Sequence, residues 1–208
     1  MTTANKITIA RILMIPVFVM MVVYYGKSVQ RGHPHEWERG LAILVFLLAS
    51  ASDGIDGYIA RHYNQKSHLG EVLDPIADKG LLLSAIITLS FSNWRDEFPV
   101  WFPVLVITRD VVILTGAVVL HYFLGRVVVK PSWTGKAATA TQMLAISCYL
   151  LQMDFFKTTI TIGDSIIPID FLYIPVVLAG FFTLISGIGY VMGGIVQLQA
   201  GGHGNARP

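Results

Sequence analysis

Six apolar runs of membrane-spanning length recur along the 208-residue chain, approximately at residues 7–26, 38–61, 72–92, 99–123, 136–153 and 168–196. The hydrocarbon core of a bilayer is roughly 30 Å thick, and about 20 helical residues cross it. No water is available there, so every backbone N–H and C=O must be satisfied inside the segment, which makes each uninterrupted apolar run a helix. The sequence therefore predicts an all-α, polytopic membrane protein with six transmembrane helices. No polar block is large enough for a separate soluble domain, so residues 1–208 are expected to form one membrane domain, with a disordered tail over 199–208.

Composition agrees: 54% of residues are hydrophobic and 13% charged, against about 25% charged in soluble domains. A net charge of +2 and scattered basic residues give no footprint for nucleic acid. The single cysteine, Cys148 in "MLAISCYLL", excludes an intramolecular disulfide and reads as core packing.

Basic residues orient the spans. With both termini in the cytoplasm, that side holds Lys6, Arg11, Arg61, Lys66, Lys79, Arg126, Lys130, Lys136 and Arg207, nine in all, against five (Lys27, Arg31, Arg39, Arg95 and Lys157) on the other. The positive-inside rule favours this arrangement. "RGHPHEWERG" and "FSNWRDEFP" become outer connections, with Trp37, Trp94 and Trp101 as interfacial anchors. Pro16 and Pro175 fall within spans and are expected to kink them.

Against this apolar background "SDGIDGYIARHYNQKSHLGEVLDPIADK" carries four aspartates. Asp53 and Asp56 are three residues apart at the end of the second span, and Asp74 and Asp78 four apart at the start of the third. Each spacing puts its pair on one helix face. An ionised aspartate at the membrane centre costs about 3 kcal/mol on insertion scales, so four unpaired ones would cost on the order of 10 kcal/mol. Arg61 and Lys79 could pair with two of them. Two divalent cations would balance all four, because hard carboxylate oxygens suit Mg2+, Mn2+ or Ca2+.

Simpler readings compete. Asp74 before Pro75 is a common N-cap arrangement, and Asp53 and Asp56 could mark a helix end among lipid headgroups. Those readings leave the matched spacings and the glycines unexplained. Gly57 inside a helix costs about 1 kcal/mol relative to alanine, which points to close approach of a ligand. Ala60 keeps that face narrow, Arg61 offers a planar fork for phosphate, and Gly70 could serve a turn in the connecting loop.

Written out, Asp53 to Asp78 reads DxxDGxxARx8GxxxDxxxD, which resembles the signature of the CDP-alcohol phosphatidyltransferases at every fixed position. "NKITIARILMIPVF", with Asn5, Thr8 and Arg11, is similar to the family's amino-terminal pattern. "DPIADK", "TRD" and "GKAATATQM" look most like members that use glycerol 3-phosphate. The main motif is shared by members that act on inositol or inositol phosphate, serine, or phosphatidylglycerol, so it does not by itself specify the acceptor.

The resemblance implies an enzyme of phospholipid biosynthesis that moves a phosphatidyl group from CDP-diacylglycerol to an alcohol. It implies two metals, Mg2+ or Mn2+ with Ca2+ as a non-productive occupant, held by Asp53, Asp56, Asp74 and Asp78. Asp78 would take the acceptor proton, and Gly57, Ala60, Arg61, Gly70, Asn5 and Thr8 would bind the donor nucleotide. Membrane lipids, a homodimer and a bacterial inner membrane with a cytoplasmic active site are implied as setting. Arg109 in its apolar span, beside Asp110, and Lys136 are the candidates to bind an acceptor phosphate, with Arg126 next. A cation-coupled transporter is the rival from another class, since intramembrane carboxylates also mark ion pathways.

Overall fold

The computed structural model describes residues 3–62, 68–94, 98–124, 132–151, 157–162 and 165–204; within these, the side chains of 53–62, 68–72, both strands and some helix ends lie outside the description. The elements are helices α1 (Thr3–Gln30), α2 (Glu36–His62), α3 (His68–Phe91), α4 (Trp101–Leu124) and α5 (Trp133–Leu151), strands β1 (Lys157–Ile162) and β2 (Ser165–Asp170), and helix α6 (Tyr173–Gly204). Among the described residues α1, α4 and α6 are long and apolar enough to cross a membrane.

The chain divides into two compact units, residues 1–99 with 146–155, and residues 100–145 with 156–208. In the first, α1 packs against α2 and α3. The buried face of α1 has two halves: Asn5, Thr8 and Arg11 near its start, then Phe18, Val22 and Tyr25. The intervals between these positions are helical, so polar and apolar halves share one stripe. Helix α2 supplies Ala42, Phe46 and Ala49, and α3 supplies Ala77, Leu81, Ala85, Ile86 and Leu89. Gly26 brings the end of α1 against the chain after α3, where an added Cβ would overlap the Ser92 carbonyl oxygen.

In the second unit α4 packs on α6. Gly180 accepts the edge of the Trp101 ring, which would stand 2.9 Å from an added Cβ. Within the same unit Gln142 Nε2 donates to Thr183 Oγ1 at 2.8 Å, joining α5 to α6 where both residues are buried. Many large apolar side chains on the helices remain exposed, among them Leu114, Tyr122, Ile188 and Val196. Faces of this kind suit hydrocarbon.

Several expectations change. Strands were not expected, yet β1 and β2 pair antiparallel with Ile162 opposite Ser165, where the sixth span was expected to begin at 168. Pro175 is the third residue of α6, in the first turn, where proline is tolerated without a kink. Trp94 is not an interfacial anchor: it is 2% exposed and packs on Tyr25 with ring centroids 4.4 Å apart, whereas Trp37 and Trp101 are 61% and 46% exposed. Helix α6 runs on through Gly204, past the expected tail boundary at 199, and residues 205–208 lie outside the description. Cys148 is buried, as core packing requires.

Candidate functional site

Helix α3 starts at His68, so Asp74 is its seventh residue and cannot be an N-cap, and Pro75 sits inside the helix. The pair Asp74 and Asp78 continues at helical spacing the stripe formed by Leu81, Ala85 and Leu89. A face that is hydrocarbon-packed along most of α3 thus ends in two carboxylates one turn apart. Asp74 is exposed and Asp78 half-buried.

The polar half of α1 meets this end. Thr8, 1% exposed, donates through Oγ1 to Asp74 Oδ1 at 2.8 Å. Asn5 and Arg11, one turn on either side, are 3% and 0% exposed. Burial of three polar side chains in adjacent turns is costly unless they are bonded, and it marks this end as a polar layer and not a lipid-facing surface. Arg11, counted in the sequence among the cytoplasmic-side charges, is completely buried.

Asp53, Asp56, Gly57, Ala60 and Arg61 all lie on α2, which continues unbroken to His62. Asp53 and Asp56 are therefore within the helix and do not mark its end. Their side chains, and those of Ala60 and Arg61, lie outside the description. Gly70 is the third residue of α3, where a loop turn was expected. Among the described residues no cluster of three or more His, Cys, Asp or Glu side chains occurs. Two of the four aspartates fall outside that set. The described pair fits a hard cation in kind: carboxylate oxygens, one helical turn apart, with Asp74 on an exposed position.

In the second unit Arg109 lies on α4 with 12% of its side chain exposed. Nη1 donates to Asp110 Oδ1 at 2.7 Å and Nη2 to Ser186 Oγ at 2.7 Å, with the Tyr190 ring 5.9 Å from the guanidinium carbon. Nε is buried and has no hydrogen-bond partner among the described residues. The first turn of α5 closes on the same group. Ser132 caps that helix by accepting the Gly135 N–H at 3.1 Å, and a Cβ on Gly135 would stand 3.5 Å from Arg109 Nη2 and from Ser186 Oγ. Lys136 follows, exposed, in the same turn, while Arg126 lies outside the described residues. Ser186 and Gly135 had not been singled out. The available signal was the small-residue pair Ser186-Gly187 in an apolar span, a composition that lets helices approach closely.

Aspartates in the sequence of α2 and α3 and a half-buried arginine on α4, in a chain of long apolar helices, accord with the sequence match. The family model for CDP-alcohol phosphatidyltransferase covers residues 1–189, and the chain belongs to that family. It is an enzyme class that acts on CDP-linked donors in the membrane.

Among individual proteins, the chain is 34% identical over 202 residues to a Mycobacterium tuberculosis protein named "Probable phosphatidylglycerophosphate synthase", covering 93% of this chain and 85% of that protein. It is 32% identical over 189 residues to the CDP-diacylglycerol–glycerol-3-phosphate 3-phosphatidyltransferase of Bacillus subtilis, and 36% identical over 189 residues to that of Rickettsia felis, covering in each case 89% of this chain and 91% of the relative.

Proposed function

We propose that the protein transfers the phosphatidyl group of CDP-diacylglycerol to glycerol 3-phosphate, giving phosphatidylglycerophosphate and CMP. The observation that carries the reading is the placing of Asp74 and Asp78 one turn apart, at helical spacing from buried Leu81, Ala85 and Leu89 of α3, with Thr8 of α1 bonded to the first. The names of relatives that match along most of their length support glycerol 3-phosphate as acceptor. Asp53 and Asp56 stand four and seven residues after buried Ala49 in α2, a spacing that supports the same reading.

Asp53, Asp56, Asp74 and Asp78 would hold two divalent cations, Mg2+ or Mn2+, which when bound neutralise the carboxylates and stabilise charge on the attacking and leaving oxygens. Asp78 takes the proton from the acceptor hydroxyl. The resulting oxygen attacks the phosphorus that carries the lipid; its new P–O bond forms as the bond to the CMP oxygen breaks, and CMP leaves as the anion. Gly57, Ala60, Arg61, Gly70 and Asn5 bind the donor nucleotide. Arg109 and Lys136, with Arg126, bind the phosphate of the acceptor: the buried Nε of Arg109, the ammonium of Lys136 and the positive end of α5 all favour an anion.

The same reading makes the chain one domain of six spans in a bacterial inner membrane, as a homodimer, with its aspartates at the cytoplasmic face. Purified protein given CDP-diacylglycerol, glycerol 3-phosphate and Mg2+ should release CMP and new lipid in equal amounts, and should stop when a chelator removes all metal. Undiminished CMP release after exhaustive chelation overturns the metal assignment. Cation flux in proteoliposomes, with no CMP formed under any condition, overturns the enzyme.

A further inference from the structure

We propose that Ser186 is a positioning residue that aims the Arg109 guanidinium at the phosphate of the acceptor. The inference rests on the acceptor-phosphate reading of Arg109 above. Ser186 Oγ accepts the Arg109 Nη2–H at 2.7 Å from another helix, 77 positions away in sequence. Ser186 is 0% exposed, so its hydroxyl meets the arginine from within the helix packing and acts on a ligand only through it.

Helix α6 holds the whole side chain. The stem of Arg109 lies along it where a Cβ on Gly187 would stand 3.4 Å from Arg109 Cγ. The head is held by Ser186 on one nitrogen and by Asp110 on the other. Asp110 is next in sequence on the same helix and moves with Arg109, so Ser186 is the contact that fixes the head against α6. A guanidinium has five N–H donors, and Nε–H is among those left without a partner among the described residues. Being neutral, Ser186 adds no negative charge that would repel a phosphate, as a second carboxylate would. Arginine has many rotamers, and fixing one before the ligand arrives removes an ordering cost from binding.

The test is steady-state kinetics of the full-length protein in detergent, with CDP-diacylglycerol, Mg2+ and varied glycerol 3-phosphate. Ser186→Ala should raise the KM for glycerol 3-phosphate about 5- to 10-fold, the net worth of about one hydrogen bond, and far more than it changes kcat or the KM for CDP-diacylglycerol. Added to Arg109→Ala, the same substitution should raise the acceptor KM no further, because the hydroxyl has nothing left to aim. Unfolding temperature is followed in parallel, and Ser186→Cys, similar in size with a weaker acceptor atom, replaces the alanine variant if that one fails to fold. An unchanged acceptor KM in Ser186→Ala overturns the proposal, as does an equal rise in the Arg109→Ala background, which marks a structural role alone. Arg109→Ala separates the two levels. If it raises the acceptor KM while Ser186→Ala does not, only the positioning role fails; if it keeps the parental acceptor KM, or the parent does not use glycerol 3-phosphate, the reading of Arg109 fails and takes the proposal with it.

Discussion

Arg109 Nη2 donates to Ser186 Oγ at 2.7 Å across 77 positions of sequence, and thereby ties α4 to α6 inside a largely apolar unit. Asp110 takes a second N–H of the same group. The guanidinium is thus fixed in direction, while Nε remains without a partner among the described residues.

If that fixed group binds the acceptor phosphate, Arg109→Ala removes a charge-assisted contact of roughly 1.5 to 3 kcal/mol, which raises the KM for glycerol 3-phosphate about 10- to 100-fold. Lys136→Ala should act in the same direction. Arg109→Lys should recover only part of the loss, because an ammonium lacks the planar fork that reaches Ser186 and Asp110 together. Affinity for CDP-diacylglycerol is measured alongside. A fall in donor affinity with acceptor KM unchanged would place Arg109 in the nucleotide pocket instead.

Asp78 and Asp53 are both carboxylates of the motif, and the same substitution should affect them differently. Asp78→Asn keeps the size and one oxygen but removes the base, so donor binding persists while kcat falls on the order of 10²- to 10⁴-fold. Asp53→Asn should weaken donor binding itself, since there the negative charge is needed by the cations. Donor titration and turnover on matched samples distinguish the two. Asp78→Asn with parental kcat would move the base elsewhere.

Gly26 and Gly40 give a stability contrast. A Cβ at Gly26 would overlap the Ser92 carbonyl oxygen, a backbone atom that cannot rotate away, whereas at Gly40 it meets nothing within 4 Å. Replacing a helical glycine by alanine gains up to about 1 kcal/mol in propensity, so Gly40→Ala should be neutral or stabilising. At Gly26 the overlap outweighs that gain, and overpacking of about 1 to 3 kcal/mol should lower the unfolding temperature. Equal melting curves for the two variants would contradict the close approach of α1 to the end of α3.

Helices α1, α4 and α6 were legible as candidate spans because apolar runs of membrane length have one backbone solution, and α2, α3 and α5 were legible as helices. The pairing of Asp74 with Asp78 was legible because a spacing of four fixes a face once the segment is helical. The start of α3 was less so: Asp-Pro reads as a helix opening, yet the helix begins at His68, and proline is accommodated inside. Trp94 shows the limit of residue type, since an aromatic next to a polar stretch reads as interfacial until Tyr25 is found against it. The strand pair has a signal of its own, distinct from apolar length. "KTTITI" and "SIIPID" are rich in β-branched residues and separated by Gly163-Asp164, a common hairpin connection. The bond from Thr8 to Asp74 could not be read at all, because it depends on how α1 sits against α3.

The most direct measurement supplies CDP-diacylglycerol and a divalent cation with glycerol 3-phosphate, inositol, inositol phosphate, serine and phosphatidylglycerol in separate reactions, and identifies the lipid formed by mass spectrometry. Phosphatidylglycerophosphate from glycerol 3-phosphate, with equimolar CMP and no comparable product from the other alcohols, is the predicted result. Preferred formation of phosphatidylinositol or its phosphate, phosphatidylserine or cardiolipin would contradict the acceptor assignment, and no CMP with any alcohol would contradict the activity.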